Sequence, residues 1–272
     1  MKTLFEILPS SPNNEYELSC EIGGEQIAVL ITNKAINTQE GIAVYQFEST
    51  ISEVEELKHF FTNHPILSGD FKSVHIFYSF KESVFVPFNL YNSIANAETL
   101  NLLHGDCRDY ATFLGADILT HRSTYNVYRV PQLVHEALQT QFKQVTFSHS
   151  YSSILQKEPS EKDLLSITFY SKRMVVALSI NSKWHLINEF SFESPQDAVY
   201  ILLNISQQFD KQNISLEING FIEENSALFM EISKYFSRVN FSSLPEDYIY
   251  QKPILKYPAH YFGALYALKP CE

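Results

Sequence analysis

The sequence predicts an α/β fold made from one supersecondary unit used twice, and three observations predict it. Residues 18–30 read LSCEIGGEQIAVL and residues 165–177 read LSITFYSKRMVVA. Each segment continues into a further apolar strand that closes on the same tripeptide, Phe47-Glu48-Ser49 and Phe192-Glu193-Ser194. Each tripeptide then leads into an amphipathic helical pattern and another strand. A duplicated hairpin–strand–helix–strand unit implies two lobes, each with a mixed sheet: a three-stranded meander plus strands alternating with helices.

In the first unit, residues 18–22 and 26–32 alternate apolar and polar side chains around Gly23-Gly24, a hairpin whose glycine turn calls for positive backbone angles. Residues 42–47 complete the meander. Thr50-Ile51-Ser52-Glu53 has the form of a capping box, in which hydroxyl and carboxylate satisfy the amides a helix start leaves bare. The helix behind it brings Val54, Leu57 and Phe61 to one side and ends before Pro65, and residues 74–80 are the next strand. Residues 93–104 are helical, with Gly105 as the stop. Residues 110–119 and 124–130 form an additional hairpin. Pro131 opens a helix that turns Val134, Leu138 and Phe142 inward, and 145–148 is a short strand.

The second unit repeats the order. Residues 165–169 and 174–180 form the hairpin and 184–192 the third strand. Ser194-Pro195-Gln196-Asp197 starts a helix, with serine as N-cap, proline at the first helical position and aspartate facing the helix dipole. Ala198, Leu202, Ile205 and Phe209 make one apolar stripe, followed by a strand at 214–218 and a helix at 225–236. The three-proline tail at 244–258 runs extended, and 259–268 closes the chain as a helix. Residues 156–162 (QKEPSEK) are charged, contain proline and lack apolar residues. They mark a linker between a first lobe at 1–155, which carries the inserted hairpin and helix, and a second at 163–272.

Composition narrows function by exclusion. The 272 residues are 45% hydrophobic and 19% charged, as in ordinary globular proteins. The net charge of -11, with no basic run longer than Lys172-Arg173, argues against nucleic acid, whose phosphates need a concentrated basic face. No apolar run approaches the roughly 20 residues that span a bilayer. Cys20, Cys107 and Cys271 have no paired spacing, and the N-terminus lacks a signal-peptide pattern. These features place the protein in a reducing cytoplasm.

Catalytic motifs are sparse. His104-Gly105-Asp106-Cys107-Arg108-Asp109 is dense in reactive groups but reads as a helix-ending loop, since a nucleophile pair needs spatial contact and an orienting third group. His121 and His135 are not spaced as helical metal ligands, and no HExxH, GxxxxGK[ST] or GxGxxG pattern occurs. Glu53, Glu55 and Glu56 read as a solvated helix face.

The duplicated meander with alternating helices and strands resembles the actin-like ATPase (ribonuclease H-like) fold. With SVFVPFNLYN after the fourth strand, it is similar to an uncharacterised Bacteroidetes family of that fold. The resemblance implies ATP between the lobes, with two glycine-bearing hairpin turns on its phosphates and acidic residues on its metal. Carried over, the first phosphate loop is Glu21-Ile22-Gly23-Gly24, where Glu21 stands for the usual aspartate. The second is Thr168-Phe169-Tyr170-Ser171-Lys172-Arg173, without carboxylate or glycine, and the adenosine motif is Gly220-Phe221, with one of two glycines kept. The expectation is a non-catalytic actin-like scaffold or regulatory protein-binding module, with a protein partner and no cofactor or metal. The alternative is a divergent ATP-binding switch or ATP-dependent enzyme. There Glu21, Gly23, Gly24, Thr168 and Gly220 would hold ATP and magnesium in the inter-lobe cleft.

Overall fold

Strands that alternate apolar and polar side chains need a helix over their apolar face, and each repeat supplies one. The computed structural model describes residues 1–11, 13–48, 52–107, 110–211 and 213–270. The chain divides into two units, one of residues 1–156, 246–256 and 268–272 and the other of residues 157–245 and 257–267.

Unit 1 opens with β1 (Lys2–Ile7) and the meander β2 (Tyr16–Ile22), β3 (Gln26–Asn33) and β4 (Thr38–Gln46). Helix α1 (Glu53–Asn63) follows and buries Leu57, Phe60 and Phe61 against the face of the sheet that carries Leu18, Cys20 and Ile22. Each such fully buried side chain contributes roughly 1.5–3 kcal/mol of transfer free energy. The N-cap is Ser52, whose Oγ accepts from the Glu55 N–H at 3.3 Å. The Thr50 expected there lies outside the described residues. After β5 (Ser73–Tyr78) come β6 (Ser83–Pro87), α2 (Asn96–His104), β7 (Thr112–Leu119) and β8 (Thr124–Pro131). Then α3 (Gln132–Gln141), β9 (Val145–His149) and α4 (Ser150–Gln156) complete the segment. The main sheet runs β1-β4-β3-β2-β5-β9, and β6-β8-β7 forms a separate three-stranded sheet.

Unit 2 contains β10 (Leu164–Phe169), β11 (Arg173–Ile180), β12 (Lys183–Ser191), α5 (Pro195–Gln208), β13 (Ser215–Gly220), α6 (Ala227–Ser233) and β14 (Val239–Phe241). Its sheet runs β12-β11-β10-β13-β14. That order, antiparallel through the meander and parallel from β10 to β13 to β14, repeats β4-β3-β2-β5-β9 of unit 1. Ser194 and Asp197 form the capping box of α5, and Ala198, Leu202 and Ile205 sit in the core with Leu165, Ile167 and Phe169.

The tail that the sequence assigns wholly to the second lobe is shared between the units. Strand β15 (Ile249–Tyr250) pairs parallel with β4 of unit 1, whereas α7 (Gly263–Tyr266) belongs to unit 2. Strands β1, β6 and β14 and helix α4 go beyond the elements the sequence predicts.

The repeated tripeptides share one arrangement. The Glu48 N–H donates to both carboxylate oxygens of Glu56 on α1, at 2.8 and 3.1 Å, and the Glu193 N–H donates to Asp197 Oδ2 on α5 at 3.2 Å. In each unit a helix-borne carboxylate holds the end of the meander.

Candidate functional site

The first hairpin positions Glu21, Gly23 and Gly24 together. Glu21 is 4% exposed, on the face of β2 opposite Cys20 and Ile22, in register with Ala28 on β3 and Phe77 on β5. The chain turns through 23–25, and the Gly23 N–H donates to the Gln26 carbonyl at 3.1 Å. The positive backbone angles expected there fall elsewhere: among the described residues the glycines with positive φ are Gly105, at 79°, and Gly220, at 93°. The loop between β2 and β3 spans three residues, 23–25, so it is not the two-residue turn that calls for those angles at both positions.

A methyl group added at Gly24 would lie 3.7 Å from Glu53 Oε1, an ordinary contact that places a second carboxylate beside the turn. Burial, then the neighbouring Glu56 charge, holds the Glu53 carboxyl above its usual range. Glu56 is 3% exposed and lies 3.2 Å from the N-terminal ammonium, besides accepting from Glu48. The solvated acidic face expected for α1 is therefore corrected at Glu53 and Glu56. The missed signal was the shared tripeptide, whose backbone needs an acceptor in both units.

The second hairpin is built differently. Thr168 occupies the place of Glu21, half-buried on the face of β10 away from the core, in register with Val175 and Asn219. Tyr170 takes the place of Gly23, and its N–H donates to the Arg173 carbonyl at 2.9 Å. The guanidinium carbon of Arg173 sits 3.8 Å from the centre of the Tyr170 ring, and Nη1 donates to Glu189 Oε2 at 2.6 Å. Arg173 is 5% exposed, so this cation is committed to the sheet, and Lys172 is left exposed at the tip.

Gly220 ends β13 opposite Phe169. Its φ of 93° and a notional methyl only 2.0 Å from the Phe169 carbonyl oxygen make glycine obligatory for the strand contact alone. The following turn is covered by residues of the same unit. His260 Nε2 donates to the Ile222 carbonyl at 2.8 Å, and its ring stacks on Phe241 at 4.0 Å. Phe221 packs on Tyr261 and Phe262 at 5.3 and 6.3 Å. Gly263 closes the cover, since a methyl there would meet Asn219 Oδ1 at 2.2 Å and Ser242 Oγ at 2.4 Å. Gly263 in the small-residue run Gly263-Ala264 was the legible sign of that approach. Thr168 and Gly220 thus stand one residue apart on adjacent strands.

The remaining reactive groups are held by contacts of their own: His104 and Cys107 by backbone carbonyls, His135 by a tyrosine hydroxyl. His104 Nε2 lies 3.2 Å from the Ser83 carbonyl, and Cys107 Sγ donates to the Tyr110 carbonyl at 3.7 Å. Arg108 and Asp109 lie outside the described residues. His135 faces the Tyr78 hydroxyl at 2.8 Å and is held below its usual pKa by burial. No group of three or more His, Cys, Asp or Glu among the described residues is arranged to hold a metal ion. No described helix is long and apolar enough to cross a membrane.

The chain belongs to the DUF3822 family, proteins of unknown function, whose model matches residues 10–239. No curated protein matches it significantly. Among solved structures it is similar to a Bacteroides thetaiotaomicron protein with an actin-like ATPase fold and unknown function, at 17% identity and a TM-score of 0.75. That match covers 94% of this chain and 97% of the other. It is also similar to a structure of the PilM–PilN type IV pilus biogenesis complex, at 10% identity and a TM-score of 0.56, covering 95% of this chain and 100% of the other. The fold is therefore the actin-like ATPase fold.

Proposed function

We propose that this protein is a non-catalytic actin-like scaffold or regulatory protein-binding module with a degenerate nucleotide site, acting through a protein partner in the cytoplasm. The observation that carries this reading is the second hairpin. Phosphate binding at such a turn needs close backbone approach, which glycine allows and Tyr170 obstructs. The tyrosine is held in place by Arg173, whose charge is matched by Glu189.

Two further observations agree. Glu53 brings a carboxylate to the Gly24 turn, where an incoming phosphate would meet like charge. Gly220 is required by its contact with Phe169, so its presence does not call for an adenine base. These residues do not fit a bound magnesium–ATP. A protein partner is supported by the PilM–PilN complex, a structure of this fold class solved as an assembly of two proteins. A reducing compartment suits the free thiols Cys20 and Cys107.

The test is an ATP hydrolysis assay on purified protein beside Glu21→Ala. The reading predicts no hydrolysis above background in either. Turnover by the wild type that Glu21→Ala abolishes would overturn it in favour of a divergent ATPase.

A further inference from the structure

The duplication makes one difference between the units conspicuous. In unit 1, β4 is the outer strand of the meander, and it is covered along its length. β1 pairs antiparallel with its residues 42–46, and β15 pairs with Thr38 and Gln39. Seven of its nine residues are buried. In unit 2 the equivalent strand is β12, also nine residues, with β11 on one side and no described strand on the other. None of its residues is buried.

Three apolar side chains lie along the regular part of this edge. Leu186 and Phe190 pack on the unit 2 core yet remain half-exposed, and Ile187 is half-exposed on the other face. The Glu189 N–H donates to the Asn188 Oδ1 beside it, at 2.9 Å, not to β11. In an antiparallel ladder alternate residues turn both backbone groups to the same side, so Ile187 and Glu189 direct theirs off the sheet. The ladder to β11 changes register between Leu178 and Ser179, which confines the regular edge to the segment from Leu186 onward.

We propose that β12 is a self-association surface, pairing antiparallel with β12 of a second copy across a two-fold axis at Asn188. The strand is complementary to itself about that residue. Leu186 falls opposite Phe190 of the second copy, an apolar pair formed twice. The charged residue of the regular segment, Glu189, falls opposite Ile187 of the second copy, so no like charges meet across the axis despite the net charge of -11. Glu189, already paired with Arg173, adds no uncompensated charge. The added strand gives β12 the cover that β1 gives β4. This inference does not depend on whether nucleotide binds.

Sedimentation equilibrium of the intact chain tests it, with Ile187→Pro as the disrupting variant. The Ile187 N–H points off the sheet, so proline there removes no bond to β11; circular dichroism should stay as in wild type, as should thermal unfolding at concentrations where the wild type is monomeric. The 31.3 kDa chain should double in mass with concentration, and Ile187→Pro should weaken dimerisation by about tenfold or more. A second readout uses Asn188→Cys in a Cys107→Ser, Cys271→Ser background. Directly opposed Cα atoms at a non-hydrogen-bonded position are about 4.5 Å apart, within disulfide range, so a covalent dimer should form on mild oxidation. The proposal is overturned by a wild type that stays monomeric up to about 100 μM. It is also overturned by a dimer that Ile187→Pro leaves intact, or by Asn188→Cys cross-linking no faster than the hairpin-tip Ser171→Cys. A monomer that takes up some other extended segment at β12 would likewise exclude the second copy as occupant.

Discussion

The guanidinium of Arg173 lies 3.8 Å from the centre of the Tyr170 ring, and through it the tip of the second hairpin is tied to Glu189 on the neighbouring strand. A phosphate-binding hairpin leaves its turn bare so that backbone amides face the ligand. Here the turn is filled from within, by a ring, a cation and a carboxylate that satisfy one another.

That arrangement predicts a large cost for cutting it. Arg173 and Glu189 are both well buried, so removing one leaves the other's charge stranded. Arg173→Ala should lose about 3 kcal/mol in urea unfolding. Arg173→Lys should recover only part of this, because an ammonium cannot stack flat on Tyr170. An unchanged midpoint for Arg173→Ala would mean the contact is incidental.

Of the three glycines read from the sequence as ligand contacts, Gly220 and Gly24 should behave oppositely. Gly220→Ala puts a methyl against the Phe169 carbonyl and imposes a left-handed angle, and should destabilise by about 2 kcal/mol or more. Gly24→Ala meets Glu53 only at ordinary contact distance, and at an exposed turn should change stability by less than about 0.5 kcal/mol. Thermal unfolding of the pair distinguishes these outcomes.

Glu56→Gln tests the carboxylate that holds the end of β4. The substitution keeps the shape but removes a charge that accepts the Glu48 N–H and faces the N-terminal ammonium, and should cost about 1–2 kcal/mol. Exchange of the Glu48 amide should accelerate with it, and an unaltered amide would show that another acceptor suffices.

Glu53 yields a pH dependence of defined sign. Its carboxyl titrates above the ordinary 4.5 in the folded chain because burial disfavours the charged form. Ionisation is then easier in the unfolded chain, so the contribution of Glu53 to stability is greatest below the unfolded value and falls as pH rises through the folded one. Glu53→Gln should raise the melting temperature at pH 7, and the gain should vanish toward pH 4. A loss at pH 7 would reverse the assignment.

The sequence reveals those features whose cause is local. The meanders follow from alternation, α5 from its capping box, and the stop at Gly105 from a residue that tolerates φ of 79°. Helix α4 escaped because its start, Ser150-Tyr151-Ser152-Ser153, buries polar side chains and shows no apolar stripe. The burial of Glu56 was invisible because its partner is a backbone amide that folding brings near. Glu21, Gly23 and Gly24 were readable as neighbours in sequence. What closes the second hairpin was not, since Glu189 lies 16 positions from Arg173 and only strand pairing joins them.

The most direct test of the proposal that the nucleotide site is degenerate is thermal unfolding with and without excess magnesium–ATP, in parallel with Glu21→Ala. The account predicts no shift at millimolar nucleotide in either protein. Stabilisation of the wild type by roughly 2.7 kcal/mol, as expected at about 100 times a dissociation constant, and lost in Glu21→Ala, would contradict it.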